Sequence, residues 1–237
     1  MPLASLGVVI PAAGQGVRMG AGVNKQFLSL NGMPILAHAI KIFQESPHVG
    51  EIVVVGARQD VERIRELVLV YGFEKVKATP VGGAERQESV FAGLKALSEA
   101  IQTVVVHDGA RPLLTLAELH RFLAEAAGNI AAITALPLKD TVKRVNPEGL
   151  VLETPERKTL RAIQTPQVFK RSLLQEVHGQ AAAAGFRGTD DASLLEWAGY
   201  PVRALPGSEE NIKITMRQDL WLAEQILANR HSRGGNA

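Results

Sequence analysis

Cysteine is absent from all 237 residues, which excludes disulfides and thiolate metal sites. That absence fits a reducing compartment, and the cytoplasm is the expected location. No uninterrupted apolar run approaches the ~20 residues needed to span a bilayer, so no membrane segment is expected. The N-terminus, MPLASLGVVI, has neither a cationic start nor a long apolar stretch, and no secretory signal is expected. Charge of one sign is missing too: 26 basic residues face 24 acidic ones, a formal balance of +2. Without a basic block or interleaved basic and aromatic residues, nucleic acid is not an expected partner. The chain also lacks a Ser-His-Asp set and any closely spaced histidine pair. His38, His48, His120, His178 and His231 are scattered and read as structural or surface residues.

What is present suits a globular α/β protein. Hydrophobic residues make up 46% of the chain, enough for a sizeable core. Short apolar strands alternate with helical patterns, which predicts a three-layer sandwich around a mainly parallel, Rossmann-like sheet. Strands are expected at Gly7–Pro11, Glu51–Gly56, Lys75–Thr79, Thr103–His107 and Ala131–Pro137. Pro34 suits the first turn of a helix with Ile35, Leu36, Ala39, Ile40 and Phe43 on its apolar face. Asp60 is placed to cap a second helix, and a third is expected over Ser89–Ala100. Thr115 to Glu118 reads as a capping box opening a helix that ends near Gly128. With no internal repeat and no long linker, residues 1–230 are expected to form a single domain, followed by a flexible tail at 231–237.

One segment breaks the alternation. Thr141–Val145 and Leu150–Thr154 flank Asn146-Pro147-Glu148-Gly149, the pattern of a hairpin closed by a type I turn. It carries few apolar residues, and an isolated hairpin is marginal in water. It packs either against its own domain or against a second subunit.

Two segments carry chemistry. Val8-Val9-Ile10 runs into a loop with Gly14, Gly16, Arg18 and Lys25. Small residues let backbone amides approach a polyphosphate while fixed cations neutralise it. The loop is neither common glycine fingerprint: Met19 stands where a dinucleotide motif needs its third glycine, and Gln26 where a P-loop needs Ser or Thr after its lysine. The plain alternative is a flexible strand-to-helix connection with exposed cations. The second segment, Val104 to Pro112, ends a strand at His107 and places Asp108 at its carboxyl end, where open α/β sheets hold ligands. A carboxylate there suits a Mg²⁺ ion shared with triphosphate oxygens, or else caps a turn before Gly109. Arg111 either binds phosphate or pairs with Asp108, and His107 orients the loop. Lys213 lies on an alternating Asn211–Thr215 pattern that reads as an exposed strand. Asp190 and Asp191 read as a helix start rather than a second metal site.

Together the motifs resemble a known family. PAAGQGVRMG with Lys25-Gln26-Phe27, Gly82-Gly83 before Glu85-Arg86, His107 to Pro112, Lys139-Asp140-Thr141, Gln164 to Gln167, Thr189 to Ser193 and Asn211 to Thr215 occur in the order seen in 2-C-methyl-D-erythritol 4-phosphate cytidylyltransferases, from about Val8 to Leu222. The resemblance implies transfer of a cytidylyl group from CTP to a polyol phosphate, with Mg²⁺ and release of pyrophosphate. It implies that Arg18 and Lys25 stabilise the transition state and that Asp108 coordinates the metal. Arg157 and Lys213 would position the polyol phosphate, with Thr141, Thr165, Thr189 and Arg111 nearby. Pro11, Ala12, Ala13, Gly14, Gly16, Gly83, Ser89, Asp108 and Gly109 would hold the nucleotide. The hairpin, within an arm at about 139–160, would embrace the partner of a homodimer, so that Thr141 and Arg157 serve the neighbour's site. Ala84 departs from the family, whose members often carry Asp after the glycine pair. A ribitol 5-phosphate cytidylyltransferase and a non-catalytic nucleotide-sugar-binding regulator are the competing readings.

Overall fold

The computed structural model describes residues 6–14 and 24–234. In chain order the elements are β1 (Leu6–Ala12), β2 (Ser29–Leu30), β3 (Met33–Pro34), α1 (Ile35–Glu45), β4 (Val49–Gly56), α2 (Val61–Val70), β5 (Val76–Ala78), α3 (Arg86–Ala96) and β6 (Thr103–Val106). They continue as α4 (Leu116–Ala126), β7 (Ala131–Pro137), β8 (Arg144–Val145), β9 (Val151–Glu153), β10 (Arg161–Lys170), α5 (Arg171–Ala184), α6 (Asp191–Trp197), β11 (Arg203–Pro206) and α7 (Arg217–Gly234). Seven strands form one sheet in the order β11-β7-β10-β6-β1-β4-β5. All neighbours are parallel except β10, which runs antiparallel to both β6 and β7.

The apolar runs of β1, β4 and β6 are what a strand buried on both faces requires. Alternate residues serve opposite layers. Val8 and Ile10 pack with α1, α2 and α4 on one face. Val9, Val53, Val55, Val104 and Val106 pack with α3, α5 and α6 on the other. Burying each such side chain contributes roughly 1.5–3 kcal/mol. The three-layer expectation therefore holds, with β10 as the antiparallel exception. Among the described residues no helix is long and apolar enough to cross a membrane.

Several local expectations are corrected. Asp60 precedes α2 but makes no side-chain cap; its carboxylate instead accepts from Asn24 Nδ2 at 2.9 Å. The third helix is Arg86–Ala96, starting three residues before Ser89 and opened by a Glu85/Glu88 capping box. Asn211–Thr215 is not a strand: it is an irregular segment pinned by the Ile214 N–H donating to the Ala110 carbonyl at 2.8 Å. Helix α7 continues to Gly234, into the stretch expected as a tail. The hairpin forms, with the Gly149 N–H donating to the Asn146 carbonyl at 3.0 Å, but its strands shrink to β8 and β9. They make a separate two-stranded sheet with Val145, Leu150, Val151 and Leu152 exposed.

Candidate active site

β1 lies between β4 and β6, so the crevice at the carboxyl ends of β1 and β6 is where this sheet can receive a ligand. Two clefts open there. The first, of about 200 Å³, is lined by Pro11, Ala13, Gly14, Lys25, Gly83, Ser89, Asp108, Gly109 and Lys213, with Gln26, Ala84 and Arg86. The second, of about 370 Å³, is lined by Arg111, Thr165, Thr189, Asp108 and Lys213, with Arg86, Gln164, Gln167 and Asp190. Asp108, Arg86 and Lys213 border both.

These three side chains form one chain of ion pairs. Asp108 Oδ1 accepts from Arg86 Nε at 3.1 Å, and its Oδ2 accepts from Lys213 Nζ at 2.7 Å. Burial alone would raise the Asp108 carboxyl, but Arg86, Lys213 and Arg111 outweigh it and hold the group far below the usual carboxylate range. Asp108 is therefore ionised at any working pH.

The backbone behind Asp108 is fixed by a relay through buried groups. The Asp108 N–H donates to Thr165 Oγ1 at 3.0 Å, and that hydroxyl lies 3.1 Å from His107 Nδ1. His107 Nε2 lies 3.0 Å from the Arg111 carbonyl, which can only accept. This assigns the proton to Nε2 and makes Nδ1 the acceptor of the Thr165 hydroxyl. Burial pushes His107 down to about 4, against the Arg111 carbonyl and the Asp108 carboxylate, so the ring stays neutral. His107 thus orients the loop, as expected. Arg111 Nη1 donates to the Asn211 carbonyl at 2.7 Å, tying the same loop to the segment that carries Lys213.

That segment reaches the other cation. Lys25 Nζ donates to the Ile214 carbonyl at 2.9 Å, one residue beyond Lys213. Asp219 in the first turn of α7 accepts from the Thr215 and Met216 amides at 2.7 and 2.8 Å and holds the segment's far end. Lys25, Asp108 and Lys213, distant in sequence, therefore converge.

Other expected residues are placed differently. Arg18 and Gly16 lie outside the described residues. Ala12 faces the core beneath the strand tip and lines neither cleft. Thr141 and Arg157 are exposed and line neither cleft; Arg157 Nη1 donates to the Lys139 carbonyl at 2.6 Å. Gly82 sits where an added Cβ would lie 2.6 Å from Ser89 Oγ and 2.8 Å from Ala13 Cβ, so only glycine lets this wall of the first cleft close up. The Ala84 N–H is taken by the Glu88 carboxylate at 2.7 Å, and its methyl offers no polar contact.

Sequence reasoning missed Arg86, Gln164 and Gln167. The available signal for Arg86 was its place three residues after the Gly82-Gly83 pair, at the first helical position.

Asp190 and Asp191 are not a second metal site. Asp190 caps α6, its Oδ1 accepting from the Ser193 N–H at 2.9 Å, and Asp191 is paired with Arg86 and His178. Among the described residues no cluster of three or more His, Asp or Glu could hold a metal alone. Asp108 offers one carboxylate with spare lone pairs on both oxygens. That donor set fits a Mg²⁺ ion held chiefly by substrate phosphates and water.

Residues 6–229 match the family model of 2-C-methyl-D-erythritol 4-phosphate cytidylyltransferase. The enzyme of that name from Halalkalibacterium halodurans is 50% identical over 95% of this chain and 98% of its own length. Its counterpart from Symbiobacterium thermophilum is 49% identical over 93% and 92%. The crystal structure of 4-diphosphocytidyl-2C-methyl-D-erythritol synthase from Anaerococcus prevotii superposes with a TM-score of 0.84 at 29% identity, covering 94% of this chain and 96% of that one. The Thermus thermophilus cytidylyltransferase structure gives 0.75 at 33% identity over 93% and 98%. Fold and sequence agree: the chain belongs to the 2-C-methyl-D-erythritol 4-phosphate cytidylyltransferase family.

Proposed function

We propose that this chain transfers the cytidylyl group of CTP to 2-C-methyl-D-erythritol 4-phosphate in non-mevalonate isoprenoid synthesis, with CTP in the first cleft and the polyol phosphate in the second. The observation that carries this reading is that Asp108, Arg86 and Lys213 line both clefts. An oxygen of the polyol phosphate attacks the α-phosphorus, the bond to the bridging oxygen of pyrophosphate breaks, and 4-diphosphocytidyl-2-C-methyl-D-erythritol forms. The second pKa of a phosphate monoester is about 6, so at neutral pH the nucleophile is largely a dianion and no general base is required. The neutral, buried His107 agrees with that.

The obstacle is charge repulsion. Lys25 stands at the first cleft for the triphosphate, and resemblance to the family gives Arg18, which lies outside the described residues, the same role. Lys213 at the boundary meets the incoming phosphate, Arg111 flanks the second cleft, and Thr165 and Thr189 supply hydroxyls. Asp108 would hold Mg²⁺, which neutralises phosphate oxygens when bound. Prearranged cations at the α-phosphate lower the barrier because extra charge develops there.

Thr141 and Arg157 serve the site of a partner subunit in a homodimer built through the hairpin arm. Their exposure and the exposed Val145, Leu150, Val151 and Leu152 support this. The expected location is the cytoplasm. Pyrophosphate release with CTP and Mg²⁺ tests the function: rapid release is expected with 2-C-methyl-D-erythritol 4-phosphate. Preference for ribitol 5-phosphate would move the assignment to that substrate, and no release with either would leave a binding protein. Light scattering tests the dimer, and a strict monomer at micromolar concentration would remove the arm's role.

A further inference from the structure

Asp191 and His178 lie behind the site and line neither cleft. Both are 1% exposed. Asp191 Oδ2 accepts from Arg86 Nη1 at 2.7 Å, and its Oδ1 lies 3.1 Å from His178 Nε2. His178, on α5, stacks on Phe91 of α3 with ring centroids 5.5 Å apart. The brace therefore ties together α3, α5 and the start of α6.

The helix does not need this carboxylate. Asp190 already caps α6, its Oδ1 taking the Ser193 N–H. A buried carboxylate carries a desolvation cost that is offset only by well-placed partners. Here the main partner is Arg86, whose Nε holds Asp108 and whose Nη2 is buried without a partner among the described residues. With one edge of the guanidinium fixed from behind, the other is presented to Asp108 in one orientation. Without it, Arg86 is free to swing toward Asp108 and shift that carboxylate between the clefts.

We propose that Asp191, steadied by His178, is a positioning residue that fixes Arg86 against Asp108 and so sets where Asp108 stands between the two substrates. This rests on the assignment of Asp108 to the reacting centre. A displacement near 1 Å at such a centre costs up to ~10²-fold in rate, so Asp191→Asn should lower kcat ~10- to 100-fold with little change in the KM for CTP. Asp191→Glu, which keeps the charge, should retain more turnover than the amide.

The deciding experiment is a double-mutant cycle with Arg86→Gln, assayed by pyrophosphate release on variants whose circular dichroism is native. If Asp191 acts through Arg86, Asp191→Asn changes kcat by less than about twofold in the Arg86→Gln background. An equal loss in both backgrounds marks a merely structural role and overturns the proposal. Should Asp191→Asn not fold, the same cycle with His178→Gln decides it on the same outcomes. Asp108→Asn is measured alongside. If it is inactive while the cycle is additive, the brace alone fails; if it turns over normally, the Asp108 assignment fails and the brace has nothing to hold.

Discussion

Replacing Lys25 with alanine separates a catalytic role from a structural one. Structurally, the ammonium makes a 2.9 Å hydrogen bond to the Ile214 carbonyl from a half-buried position in a short turn. One such bond from a charged donor contributes about 1.5–3 kcal/mol net to stability. For a chain of this size that lowers the melting temperature by about 3–12 °C. Catalytically, the cation borders the first cleft beside the segment that carries Lys213. Losing one prearranged stabiliser of developing phosphate charge costs ~10²–10³ in kcat, about 2.7–4 kcal/mol. The two effects differ enough to be told apart. Lys25→Ala should melt no more than about 12 °C below the wild type, and so stay folded at assay temperature, yet lose at least a hundredfold in steady-state pyrophosphate release at saturating CTP, Mg²⁺ and polyol phosphate. Turnover within a few-fold of wild type, with native folding, would refute the assignment. A collapse of the melt that accounts for the lost activity would refute the separation of roles.

Further substitutions probe the two clefts and the core separately. Lys213→Ala removes a charged, partly exposed donor, and a loss of about 1.5–3 kcal/mol should raise the KM for the polyol phosphate ~10-fold or more while kcat falls less. Gly82→Ala drives a methyl into Ser89 and Ala13; about 1–3 kcal/mol of crowding should raise the KM for CTP and leave that for the polyol phosphate unchanged. His38 Nε2 donates to the Leu30 carbonyl at 2.8 Å, and burial outweighs that bond and lowers its pKa. The unfolded chain, with its His near 6.5, therefore binds the proton more readily than the native state. The stabilising effect of a neutral His38 is full above that pH and lost as pH falls below it. Wild-type melts should drop more between pH 7.5 and 5.5 than those of His38→Gln, and equal drops would contradict the burial argument.

The layers were legible wherever strands are buried on both faces. The runs in β1, β4 and β6 are continuously apolar because both surfaces face core, and alternating them with amphipathic helices identifies the architecture. β10 was not legible. Its stretch Gln164-Thr165-Pro166-Gln167 is polar because it faces the second cleft, and its pairing with β7 shifts register between Ile163 and Gln167. The alternation of Asn211–Thr215 misled for a related reason: Ile214 is buried against α7 while Lys213 reaches Asp108, a period of two without a neighbouring strand. Lys25 was read from the glycine-rich loop and Asp108 from the strand tip, Lys213 came from the family resemblance, and Arg86 and Asp191 required the fold. Their partners lie 22 and 105 residues from Arg86, and no local pattern records such pairings.

The most direct test is a crystal structure with an unreactive CTP analogue, Mg²⁺ and 2-C-methyl-D-erythritol 4-phosphate bound together. The expected result places the nucleotide in the first cleft and the polyol in the second, with a phosphate oxygen about 3–3.5 Å from the α-phosphorus beside Asp108 and Lys213. A polyol phosphate seated away from the second cleft, or an α-phosphate remote from Asp108, would contradict it.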